Sequence, residues 1–294
     1  MNIQLIIAMH KPYEVPQDAL YLPLHVGSQG KESFACSRPV TRDDTGVHIS
    51  GKNASYCELT GLYWAWKNLE ADAIGLVHYR RYFTCKSRRY RNQHPKMDCV
   101  LTMEEAQRLM QSYDIVVPTK RRYYIESLYS HYAHTLDGRH LDLARQIIHT
   151  TCPEYEDACA KVYASTWGYM FNMCMMKREY LDSYCSWLFP ILEQMEATLA
   201  DEAARLSAFE ARLYGRVSEI LFNVWLTYVR GQERTGGQKD ALGENAACAV
   251  ASPRVAEVAT MHMEPVNWWK KGTAFLKAKF FGKSMKQVFD KDWK

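Results

Sequence analysis

The stretch His78-Tyr79-Arg80-Arg81-Tyr82 follows directly on the apolar run AIGLVH at 73–78. Such a run reads as a buried strand, and in open α/β sheets the carboxyl ends of the strands face the ligand. Two adjacent arginines there suit an anion such as a diphosphate. Each guanidinium keeps its charge and makes paired hydrogen bonds to phosphate oxygens. Residue type alone serves equally well for two solvated surface cations. Lys86, Arg88, Arg89 and Arg91 read as a solvated loop beyond. Lys52, Asn53, Tyr56 and Glu58 mark a second region, where the N-terminus of a helix favours phosphate or a sugar hydroxyl. Capping and packing compete for each of those four residues.

The elements that must position these groups follow from periodicity. IQLIIA at 3–8 predicts a first buried strand that ends at His10-Lys11-Pro12-Tyr13. LYLPLHV at 20–26 predicts a second, weakened by Pro23, and 27–48 reads as loop. Leu59, Leu62, Tyr63 and Trp66 recur at helical spacing, with Asn53 or Ser55 as cap and Glu58 completing a capping box. A helix at 102–112 precedes a strand, DIVVP, at 114–118. Helices are expected at 139–149, 154–163, 177–199 and 202–229, and a buried strand or short helix at 166–176. Helices interleaved with short apolar strands predict an α/β fold with a mainly parallel central sheet.

Composition narrows the function classes. The chain has 294 residues, 47% apolar and 24% charged, which suits a folded globular protein. No run of 18 apolar residues predicts a membrane span, and the N-terminus lacks the basic start and cleavage site of a signal peptide. Nine scattered cysteines without a CxxC pair predict reduced thiols and a cytoplasmic protein. GxGxxG, GxxxxGK[ST], HExxH and GxSxG are absent, which removes the dinucleotide, P-loop, zincin and α/β-hydrolase readings. The net charge of +4 hides an asymmetry, because residues 268–294 carry eight lysines and two aspartates. The first 267 residues are therefore net −2, which argues against nucleic acid as a partner. In the tail, Trp268, Trp269, Phe275, Leu276, Phe280, Phe281, Met285, Val288 and Phe289 fall loosely at helical spacing with lysines between them. That pattern predicts an amphipathic helix docked on an anionic membrane surface. Residues 231–267 read as a linker or loosely packed segment.

Five stretches together carry a resemblance: HKPY at 10–13, ISGKNASYCELTGLYWAWKN at 49–68, IGLVHYRRYF at 74–83, FNMCMMKREYLDSYCSWLFPIL at 171–192 and GRVSEILFNVWL at 215–226. In this order, over about residues 1–230, they resemble a bacterial capsular and exopolysaccharide biosynthesis family. The family is catalogued as a domain of unknown function, and some members are assigned as galactofuranosyltransferases. The resemblance implies a single GT-A-like domain over 1–230 and an inverting transfer from a UDP-sugar, galactofuranose among the sugars. The acceptor it implies is a polysaccharide or lipid-linked oligosaccharide, placing the enzyme peripherally on the inner face of the cell membrane.

It also implies roles. His10, Lys11 and Tyr13 end the strand where GT-A-like folds cradle base and ribose. His78, Tyr79, Arg80 and Arg81 stand where such folds carry a metal-binding Asp-x-Asp, so the arginines neutralise the leaving diphosphate and a divalent metal is not required. Glu219 matches a Ser-Glu element and is the expected base, with Asp114 as a weaker alternative and a structural carboxylate that caps a helix or pairs with Arg216 or Arg212 as the competing reading. The family commonly places an arginine after this Glu, where the chain has Ile220. His131, Asn172 and Met173 are expected on the acceptor side. Two alternatives stay open: a UDP-pyranose transferase of the same fold, and a non-catalytic nucleotide-sugar- or glycan-binding component of capsule assembly.

Overall fold

Ile3, Leu5, Ile7 and Met9 point to one side of the first strand and Ile6 and Ala8 to the other, and all six are buried. A strand buried on both faces needs an apolar layer on each side, and the rest of the fold supplies them. The computed structural model describes residues 1–203, 205–232 and 250–264. The strands in chain order are β1 (Ile3–Met9), β2 (Tyr21–His25), β3 (Thr41–Arg42), β4 (Ala73–His78), β5 (Arg81–Thr84), β6 (Ile115–Pro118), β7 (Arg121–Arg122), β8 (Trp167–Gly168), β9 (Cys174–Lys177) and β10 (Val255–His262). The helices are α1 (Asn53–Tyr56), α2 (Leu59–Asn68), α3 (Arg88–Gln93), α4 (Met103–Ser112), α5 (Leu128–Thr135), α6 (Arg139–Thr151), α7 (Glu156–Ala164), α8 (Arg178–Thr198), α9 (Ala200–Ala203) and α10 (Leu213–Gly231). No helix among the described residues is long and apolar enough to cross a membrane.

β1 lies between β2 and β4 and is parallel to both, with β3 parallel at the far edge of β2. β9 runs antiparallel to both β4 and β6, while β10 is parallel to β6 and antiparallel to β5. The sheet is therefore mixed, which corrects the expectation of a mainly parallel one. Part of the reason is local. β5 follows β4 through the two-residue turn Tyr79-Arg80, a connection that only antiparallel pairing allows. That turn also closes β4, β5, β10, β6 and β9 into a ring of pairings. One face packs against α2, α7, α8 and α10 through a large cluster that includes Leu76, Tyr184, Leu221 and Trp225. The other face packs against α4 through Ala106 and Met110.

Several expectations change. The helix at 53–68 is broken at Cys57, whose φ is +54°, so α1 and α2 are separate. The Ser55–Glu58 capping box does not form, because Ser55 Oγ donates to the Lys52 carbonyl. The box forms at Thr102–Glu105, opening α4. Helix α10 begins only at Leu213, and the run 166–176 divides into β8 and β9 around a turn. Residues 255–262, expected within a linker, form β10, where Ala256, Val258 and Met261 are buried. The predicted tail at 268–294 lies outside the described residues.

Gly75 allows β4 to pass between its neighbours. A Cβ there would sit inside contact distance of the Leu5 side chain and the Cys174 carbonyl. Gly75→Ala is expected to cost about 3 kcal/mol through overpacking of this crossing, read by chemical denaturation.

Candidate active site

Phe171 and Asn172, in the turn before β9, both adopt left-handed backbone, at φ +76° and +51°. Asn accepts this conformation readily, whereas a bulky Phe pays roughly 1 kcal/mol or more for it. The turn uses its polar groups in three directions. The Phe171 carbonyl accepts from His78 Nε2 at 2.6 Å, which ties it to the end of β4. Asn172 Nδ2 donates to Glu58 Oε1 at 2.8 Å, at the α1–α2 junction, and to the Gly215 carbonyl at 2.9 Å on α10. Asn172 Oδ1 accepts from Ser218 Oγ at 3.0 Å. Three segments distant in sequence are thereby held around one turn.

Glu219 follows Ser218 on α10. Burial is the main force raising its pKa to about 7, and the nearby Glu58 charge adds to it. A backbone hydrogen bond from Phe171 and the charges of Arg216 and Arg121 oppose that rise without overcoming it. Arg216 stands one helical turn before Glu219 and lies over the Phe209 ring at 4.0 Å. Arg81, opening β5, lies over the Phe171 ring at 4.4 Å. Arg212 donates Nε to Cys57 Sγ at 3.2 Å. Burial lowers the pKa of Arg81 and of Arg216, and their cationic neighbours Arg80 and Arg212 lower them further. Among the described residues, neither Arg81 nor Arg216 has an ion-pair partner. Cations crowded to the point of mutual repulsion beside an ionisable carboxylate form a ready site for a multiply charged anion.

An aromatic group adjoins these cations. Tyr13 stacks on Tyr79 with centroids 3.8 Å apart, and His10 meets Tyr79 edge-on at 5.3 Å. Arg80 lies over Tyr79 at 4.9 Å and pairs with Glu264 at 3.2 Å, and Lys11 sits 5.4 Å from the Tyr13 ring centre. Burial lowers the His10 pKa, with Lys11, Arg80, Lys31 and Arg212 lowering it further, so His10 stands in the same positive field. His10, Lys11, Tyr13, Glu58, His78, Tyr79, Arg80, Arg81, Asn172 and Glu219 thus converge.

Other expected residues are placed elsewhere. Lys52 pairs with Glu196 at 2.5 Å and the Tyr56 hydroxyl donates to the same carboxylate at 3.1 Å, so both tie α1 to α8. Asn53 Nδ2 donates to the Cys57 carbonyl and to Thr60 Oγ1. Met173 is core. His131 shares the buried Glu126 with His134, at 3.0 and 2.9 Å, and packs on Tyr123 at 4.2 Å. Asp114 precedes β6 at the opposite edge of the sheet. Burial would raise its pKa, but hydrogen bonds from Arg254 and Lys177 hold it well below the carboxylate range, which unsuits it as a base. Arg121, Phe171, Arg212 and Arg216 were not singled out as site residues from sequence. The i−3 spacing of Arg216 from Glu219 was the one available signal, and it presented itself only as a structural ion pair.

Two carboxylates, Glu58 and Glu219, lie within electrostatic reach of each other and of Arg81. Among the described residues no group of three or more His, Cys, Asp or Glu is placed to hold a metal ion.

Residues 4–230 match the family described as Domain of unknown function (DUF4422). A solved apo structure of the bifunctional glycosyltransferase WbbM is similar to the chain at 27% identity and a TM-score of 0.70. The alignment covers 90% of this chain and 46% of that one, so the chain spans about half the length of WbbM. A search of curated proteins finds no match.

Because the folded protein retains the Glu219 proton to about pH 7, against an ordinary value of 4.5, its charged form is disfavoured on folding. Stability is then lost as pH rises through that window. Glu219→Gln, neutral throughout, is expected to be more stable than the parent at pH 8 by up to about 3 kcal/mol. The two should converge near pH 4. Parallel denaturation curves at the two pH values check this.

Proposed function

The chain belongs to the DUF4422 family, and on that footing we propose that it is a glycosyltransferase using a UDP-sugar without a divalent metal. The observation that carries the reading is Glu219, a partly buried carboxylate with a pKa of about 7, set beside Arg81 and Arg216, which have no ion-pair partner among the described residues. The likeness to WbbM, a bifunctional glycosyltransferase, supports the reaction class.

In this reading the diphosphate of the donor lies against Arg81, Arg212 and Arg216, and the nucleoside lies toward His10, Tyr13 and Tyr79. Glu219 accepts the proton of an acceptor hydroxyl as that oxygen bonds to the anomeric carbon. The bond from that carbon to the diphosphate oxygen breaks on the opposite face, which inverts the centre. The leaving UDP gains negative charge as the bond breaks, and fixed cations placed there stabilise the transition state. A base with a pKa near 7 is half ionised at neutral pH and still strong enough to take the proton. His78, whose pKa is lowered chiefly by burial, stays neutral and keeps the Phe171 carbonyl in place through its Nε2–H.

UDP-galactofuranose is the donor that the family resemblance suggests, and UDP-pyranoses would meet the same cations. The acceptor is a polysaccharide or a lipid-linked oligosaccharide. The lysine- and aromatic-rich sequence at 268–294 would hold the enzyme peripherally at an anionic inner leaflet.

Turnover of a UDP-sugar panel, measured by UDP release against a glycan acceptor, tests the reading. The parent kcat/KM is expected to rise with pH and level off above about pH 7, where Glu219 is ionised. Glu219→Gln should lower kcat by roughly 10²- to 10⁴-fold while UDP affinity is retained. Unchanged turnover would remove Glu219 from the mechanism.

A further inference from the structure

Beyond the candidate site, the segment from Arg121 to Glu126 has an unusual construction. Tyr123 is buried and its N–H donates to the Thr166 carbonyl at 2.7 Å. Glu126 is also buried and takes both His131 and His134. Between these two anchors the chain makes a tight turn, with Ile125 N–H donating to the Tyr123 carbonyl at 2.7 Å. Tyr124 at its tip is left-handed, at φ +59°. Tyr124 is 79% exposed and Ile125 is 60% exposed, the one adjacent pair of exposed large apolar residues among those described. Arg121 and Arg122 precede them, both exposed and without an ion-pair partner among the described residues.

A protein gains nothing in water from holding a tyrosine in a disfavoured backbone conformation with an isoleucine beside it. The cost is explained if the tip enters an apolar medium when the protein works. We propose that the Tyr124–Ile125 turn is an interfacial anchor that inserts into an anionic lipid surface while Arg121 and Arg122 meet its headgroups. Charge complementarity decides the occupant. Two arginines without an ion-pair partner among the described residues, Arg121 over the Tyr123 ring at 5.1 Å, stand behind an apolar tip and match a negatively charged interface, in which aromatic and aliphatic side chains settle at the headgroup boundary. A glycan would require several hydrogen-bonding groups, and the tip offers one hydroxyl. The position suits the proposed chemistry, because Arg121 and Tyr123 lie within the electrostatic reach of Glu219. An acceptor carried on a lipid would then be presented beside the candidate site. The inference deepens the transferase reading, yet the anchor is measured without any turnover.

Sedimentation of the full chain with phosphatidylcholine vesicles, with and without phosphatidylglycerol, tests it. Binding is expected only when phosphatidylglycerol is present. The pair Tyr124→Ser and Ile125→Ser should weaken it about tenfold, and Arg122→Gln about fivefold. Tyr113→Ser, which removes an exposed tyrosine elsewhere, should leave binding unchanged. The Tyr124/Ile125 pair should also leave UDP affinity unchanged, which separates a lost anchor from a lost fold. Equal binding to neutral vesicles, no binding at all, or a tip variant that binds as tightly as the parent would each overturn the proposal. So would reduced transfer to a soluble glycan by a tip variant whose vesicle binding is intact, since the tip would then serve the acceptor sugar.

Discussion

The candidate site depends on one strained turn. Phe171 and Asn172 adopt backbone conformations that most residues avoid, and in return the turn reaches β4, the α1–α2 junction and α10 together. Without it, the elements that carry His78, Glu58 and Glu219 would be joined here by apolar packing and the Arg212–Cys57 hydrogen bond, and packing fixes separation far less sharply than hydrogen bonds fix direction. The break at Cys57 is a second such adjustment. It turns Glu58 toward Asn172 and lets Gly215 pack closely, where a Cβ would meet the Cys57 side chain at 3.0 Å. Strain of this kind is expected where geometry has to be exact for function and is offset by the surrounding core.

Electrostatics then follow from placement. The fold gathers Arg81, Arg212 and Arg216 in partly buried positions, where burial and then Arg80 lower the pKa of Arg81, burial and then Arg212 lower that of Arg216, and burial of Arg212 is outweighed by Cys57, Glu58 and Glu219, which raise its pKa. Such an arrangement destabilises the empty protein and favours a bound anion. Glu219 carries the opposite tension, because burial discourages its charge more than the arginines encourage it. Both costs fall on groups that feel one another's charge, while the ion pairs of Asp114 with Arg254 and Lys177 lie at the far edge of the sheet. A division of this sort, with ion-paired charges serving the scaffold while Arg81 and Arg216 have no ion-pair partner among the described residues, is what a proposed diphosphate site requires.

Much of the scaffold is legible in the sequence because β1, β4 and β6 are continuous apolar runs and α4, α6, α7 and α8 keep their helical period. The mixed character of the sheet was not legible. β5 hides in Tyr79-Arg80-Arg81-Tyr82, which reads as a loop until the two-residue turn is seen, and β10 hides in a stretch whose in–out alternation over Ala256, Glu257 and Val258 slips before Met261. Of the site, the residues at strand ends could be named from the rule that ligands meet the carboxyl edge. Glu219 came from resemblance to a family and not from its own surroundings. Arg212 and Arg216 escaped because helical spacing alone does not say which face of a helix meets a cleft. Lys52 and Tyr56 were misplaced for the related reason that Glu196, their partner, is about 140 residues away in sequence.

The central claim is that arginines hold a nucleoside diphosphate beside Glu219 with no metal between them. Calorimetric titration of the full chain with UDP in EDTA, repeated after Mn²⁺ is added in excess, and again with Arg81→Ala, tests it most directly. The account predicts binding in EDTA, an affinity that Mn²⁺ leaves unchanged, and a loss of roughly tenfold or more in Arg81→Ala from one charge-assisted phosphate contact. Binding that appears only after Mn²⁺ is added, or that is indifferent to Arg81, would contradict it.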